Sequence, residues 1–106
     1  MRIGIIGGLD RNVAALHSLA EAAGHDVRFH TGVMAGPASA TALRALVSRA
    51  ELVVIVTDIN SHNAVRTARR EARLLGRPVK IVRKLGHTHF AALLHEVDQE
   101  ASVAAA

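Results

Sequence analysis

Four short apolar runs alternate with four stretches of helical periodicity, and this alternation limits the possible folds more than any other feature of the chain. Residues 3–6, 27–30, 52–56 and 79–82 have strand character. Apolar residues then recur at helical spacing, as in Leu16 and Ala20, Leu43 and Val47, Ala64, Ala68 and Ala72, and Phe90, Leu94 and Val97. Strict β-α alternation requires right-handed crossovers, which give a parallel sheet with helices on both faces. Residues 3–6 and 52–56 are nearly continuous apolar runs, as central parallel strands are, whereas 27–30 and 79–82 alternate with polar residues and read as edges. The order that satisfies these assignments is 2-1-3-4, in a three-layer α/β domain.

Turn residues punctuate the pattern. Gly24 and Gly76 follow the first and third helical stretches, and Pro78 lies two residues beyond the second of these stops. Residues 31–39 contain Gly32, Gly36 and Pro37 and read as a loop, with Ser39 or Thr41 near the next N-cap. Ser61 is the expected N-cap of the third helix. With 106 residues there is room for one domain, over residues 1–98. Residues 99–106 are expected to form a fraying tail, since Val103 is their only large apolar residue.

Composition narrows the functional classes. The core must be built from small aliphatics, because the only aromatic residues are Phe29 and Phe90. So small a core, with a fourth strand at an open edge, gains from self-association, and a homo-oligomer is expected. With no cysteine there is no disulfide framework, which suits the expected cytoplasmic location. No signal segment or membrane-length apolar stretch is recognised. The net charge of +4 favours anionic partners.

In an order of 2-1-3-4 the chain direction reverses between strands one and three, and ligands of open α/β sheets bind outside the carboxyl ends at such a switch point. Two loops flank it. The first carries Gly7, Gly8, Asp10, Arg11 and Asn12, where glycines allow close backbone approach and free helix amides attract an anion. It lacks the third glycine of a dinucleotide fingerprint and the Gly-Lys-Ser/Thr of a P-loop. The second carries Thr57, Asp58, Asn60, Ser61, His62 and Asn63, a dense polar set at the mouth of a buried strand. Capping by Asp58 and Ser61 explains part of that set; contact with a ligand explains the rest.

The glycine pair, the apolar third strand, Ser61-His62-Asn63-Ala64 opening a basic helix, and Gly76-Arg77-Pro78 before the fourth strand together resemble one bacterial family. It is known as domain of unknown function 2325 (DUF2325), and the resemblance runs over roughly residues 2–95. It implies a compact Rossmann-like fold and no defined activity. The chain departs from the family pattern at Gly86-His87-Thr88-His89, where a Ser-rich stretch is usual.

The expectation is therefore a small-ligand-binding domain for sensing or regulation. Its ligand would be a nucleotide such as ADP or ATP, or another phosphate-bearing anion, held by Gly7 to Asn12 on one side and Thr57, Asp58, Ser61, His62 and Asn63 on the other. One alternative is a hydrolase, metal-dependent or acting on a nucleotide, that uses Asp58 and His62. Another is a nucleic-acid-binding module acting through Arg66, Arg70, Arg73 and Arg77, which fall on one helical stripe. The same stripe also reads as a solvated face. His30, His62, His87 and His89 have no tight ligand spacing, so no metal is assigned.

Overall fold

The alternating pattern folds as a strict succession of strands and helices. The computed structural model describes residues 1–8, 13–58 and 60–105. The elements are β1 (Arg2–Ile6), α1 (Val13–Ala22), β2 (Asp26–His30), α2 (Pro37–Arg49), β3 (Leu52–Val56), α3 (His62–Leu74), β4 (Val79–Val82) and α4 (His87–Ala105). The sheet is parallel throughout, in the order β2-β1-β3-β4. β3 is buried along its whole length and β1 everywhere except Arg2, whereas β2 and β4 are partly exposed. The split between continuous and alternating apolar runs thus corresponds to centre and edge.

Successive side chains of a strand point to opposite faces, so each central strand feeds two cores. On one face Ile3, Ile5, Leu52, Val54 and Val56 pack against Leu16 and Ala20 of α1 and Phe90, Leu93, Leu94 and Val97 of α4. On the other, Ile6, Val53 and Ile55 meet Leu43 and Val47 of α2 and Ala64, Ala68 and Ala72 of α3.

One helix boundary corrects the reading of the sequence. α2 begins at Pro37, with Gly36 as its N-cap, so the preceding loop stops short of Ser39 and neither Ser39 nor Thr41 caps the helix. Proline suits a first turn because its absent N–H would have had no partner within the helix. α4 runs from His87 to Ala105. α3 starts as expected, with the Ser61 Oγ accepting the Ala64 N–H at 3.0 Å. It closes with the Arg77 N–H donated to the Ala72 carbonyl at 2.8 Å, one turn back.

Candidate functional site

The carboxyl ends of β1 and β3 lie side by side, and Asn60 joins them. Its Nδ2 donates to the Val56 carbonyl at 2.8 Å and to the Ile6 carbonyl at 3.2 Å. One amide nitrogen thus satisfies the last carbonyls of both central strands at the switch point. The Asn60 Oδ1 is buried, has no hydrogen-bond partner among the described residues, and sits against Gly32. A Cβ on Gly32 would overlap that oxygen, and one on Gly7 would overlap the Asn60 amide nitrogen and lie 2.6 Å from the Val56 carbonyl. Both glycines have positive φ, +95° at Gly7 and +85° at Gly32, so Asn60 is enclosed by backbone that only glycine supplies without strain.

The segment after β2 is latched onto the same place. The Ser61 hydroxyl donates to the Gly32 carbonyl at 2.7 Å while it accepts from Ala64. The Gly32 N–H donates to the His30 Nδ1 at 3.0 Å, which makes the His30 Nε2 the donor to the Ser39 carbonyl at 3.1 Å. This chain of hydrogen bonds runs from α3 through the Gly32 turn to α2.

The residues expected to form one ligand-binding wall therefore divide. Thr57 and Asp58 lie on the β4 side. Their backbone N–H groups donate to the Val82 and Arg83 carbonyls, both at 2.9 Å, and the Asp58 carboxylate is 3.9 Å from the Lys84 ammonium. Ser61 is used on both its donor and acceptor sides. His62 and Asn63 are exposed on the first turn of α3. Gly7 and Gly8 lie at the end of β1 as expected; Asp10, Arg11 and Asn12 lie outside the described residues. Among the described residues no hydrogen bond or ion pair joins Asp58 to His62. No three acidic or histidine side chains among them converge as metal ligands. The His89 Nδ1 instead donates to the Lys84 carbonyl at 3.2 Å.

The arginine stripe also changes membership. Arg77 turns into the molecule, where its Nη2 donates to the Ser48 carbonyl near the end of α2 at 3.0 Å. Arg69 takes its place, and a groove of about 400 Å³ runs along α3 between Asn63, Arg66, Thr67, Arg69, Arg70 and Arg73. Glu71 is the only acid of this helix, and it faces Arg44 of α2 at 3.7 Å and Arg70 at 4.0 Å.

On the opposite face the charges are paired within the chain. Lys80 lies 2.6 Å from Glu96 and 3.2 Å from Glu100. The hydrogen bond that the Lys80 ammonium donates to Glu96 holds the ammonium above its ordinary pKa, and the same bond holds the Glu96 carboxyl below its own. The His25 Nε2 meets Asp98 at 2.8 Å. At the amino edge, the Arg2 backbone N–H lowers the pKa of Glu51.

Asn60 is the residue that sequence reasoning passed over as a site member. Its only signal was position, between a buried strand and a Ser N-cap and opposite glycine turns.

The model of a family described as an uncharacterized protein conserved in bacteria (DUF2325) matches residues 2–97. No curated protein and no solved structure matches the chain.

Proposed function

The chain belongs to the DUF2325 family, and from that premise we propose that it is a small-ligand-binding domain with a sensing or regulatory role, its ligand a nucleotide or another phosphate-bearing anion. The observation that carries this reading is the turn after β1. Gly7 and Gly8 follow one another with φ of +95° and +87°; the Gly7 N–H is donated to the His30 carbonyl at 2.8 Å and Asn60 packs against Gly7, which leaves the Gly8 N–H as the amide this turn offers a ligand. A backbone amide with no side chain in front of it, beside the start of a helix, is the chemistry that a phosphate oxygen takes. The first turn of α3, with His62 and Asn63 exposed, stands on the other side of the switch point. In this reading Asp10, Arg11 and Asn12 complete the phosphate side. The Asn60 clasp holds the two strand ends at fixed spacing, which pre-organises the site at no cost on binding.

Self-association belongs to the same proposal. The β4 edge carries Ile81 at 49% exposure, and an open apolar edge is stabilised when another copy covers it.

The test uses isothermal calorimetry with inorganic phosphate, ADP and ATP on the wild type and on Gly8→Ala. An added Cβ would stand 3.6 Å from the nearest Val56 atom, so the core has room for it. The left-handed backbone costs an alanine about 1–2 kcal/mol, so the turn strains without unfolding the domain. Binding to the wild type and its loss in Gly8→Ala is the expected outcome. Absence of binding to all three probes, or equal binding by a folded Gly8→Ala, overturns the reading.

A further inference from the structure

The outer face of α3 holds a large unbalanced charge. Four arginines, Arg66, Arg69, Arg70 and Arg73, stand against the single acid Glu71, which leaves this helix with a net charge of +3. All four are exposed. At 3.6 residues per turn they occupy an arc of roughly 100°, and from Arg66 to Arg73 they span about 10 Å of helix. α4, across the sheet, has the opposite composition, with Glu96, Asp98 and Glu100 and no Lys or Arg. The molecule is therefore basic on one face and acidic on the other.

A face like this needs a polyanion, and α4 of a second copy is the first candidate. Its acids are already engaged, Glu96 and Glu100 by Lys80 and Asp98 by His25. A lipid surface suits this face less well, because Ala64, Ala68 and Ala72 are fully buried against the sheet and the exposed large apolar side chains at α3 are Leu74 and the adjacent Leu75, too small an area for insertion. The groove between the arginines suits phosphodiesters better. Asn63 and Thr67 line it, so neutral hydrogen-bond donors lie among guanidinium groups that bind phosphate bidentately. About 10 Å of duplex axis presents three phosphates on each strand, which matches the length of the arginine row. Base stacking is not available, since Phe90 is buried and Phe29 half-buried.

We propose that the outer face of α3 binds the phosphodiester backbone of a nucleic-acid duplex without reading its sequence. This surface borders the proposed ligand site at Asn63, but its arginines lie outside that site and the variants below change only arginines, so each proposal stands or falls alone.

The test is fluorescence anisotropy of a short labelled DNA duplex with the full chain, between about 50 and 200 mM salt. Three to four neutralised phosphates give a slope of about −3 in the logarithm of affinity against the logarithm of salt concentration. The double substitution Arg66→Gln with Arg73→Gln reduces that slope by about two, whereas Arg28→Gln with Arg49→Gln, which removes the same charge elsewhere, leaves it unchanged. Absence of duplex binding at the lowest salt, or equal effects of the two double substitutions, overturns the proposal. So does salt-sensitive self-association that Arg66→Gln/Arg73→Gln and Glu96→Gln/Glu100→Gln both abolish without any duplex binding; the partner is then a second copy.

Discussion

α3 meets the sheet with Ala64, Ala68 and Ala72, whereas α4 meets it with Phe90, Leu93, Leu94 and Val97. Alanines let a helix approach closely but bury little area; a large side chain contributes about 1.5–3 kcal/mol when fully buried. α4 is thus held by volume. α3 is held partly by polar bonds at its first turn, where Asn60 ties both central strands and Ser61 ties the Gly32 turn. The charges divide the same way. The acids of α4 pair with Lys80 and His25, while most arginines of α3 face solvent. A helix whose polar groups are spent inside the fold has a structural role. One with spare charge on a firmly anchored frame is free to bind.

The comparison breaks most visibly at Phe90, which is completely buried. Phe90→Ala is expected to cost about 3–5 kcal/mol, a large part of a small domain's stability, in urea unfolding followed by circular dichroism. A loss below about 1 kcal/mol would mean that α4 is not held by volume.

The next effect is expected at the α3 anchor. Asn60→Ala leaves the Ile6 and Val56 carbonyls without the amide and should cost about 1–3 kcal/mol. Hydrogen exchange should rise at the Gly32 turn and the first turn of α3 before it rises in α4. Uniform loosening of both helices would show that the clasp is not local to α3.

The smallest effect concerns the spent charges. Lys80 has a raised pKa in the fold, so its contribution is complete below the ordinary lysine value of about 10.4 and is lost as pH climbs through the folded value. Glu96 has a lowered pKa, so its contribution is complete above about 4.3 and is lost as pH falls through the folded value. Lys80→Gln should therefore lower Tm across the mid-pH range, and only slightly, because pairs with carboxylates this exposed are well screened. It should flatten both the alkaline and the acid limbs of Tm against pH. Unchanged limbs would show that the pairing carries no stability.

How far the sequence could be read differs between scaffold and site. Strand assignments and sheet order came from whether apolar residues ran continuously, as in Leu52–Val56, or alternated, as in Val79–Val82. The Ser61 cap was legible because an N-cap bonds within its own turn. The expected wall from Thr57 to Asn63 was legible as a polar cluster but not as three separate environments. Its division depends on how β4, the Gly32 turn and the outer face of α3 are arranged around it.

By itself the sequence determined the alternation of elements, their order in the sheet and the start of α3, since periodicity and turn chemistry act over a few neighbouring residues. Only the tertiary structure decided that Asn60 would serve Ile6, 54 residues away, and Ser61 the Gly32 carbonyl, 29 away. It also decided that Arg77 would turn inward to Ser48, leaving Arg69 to complete the exposed stripe. The physical reason is common to all three: a polar side chain bonds to whichever strand-end, turn or helix-end carbonyl the packed helices bring within about 3 Å, and no local pattern in the chain encodes that proximity.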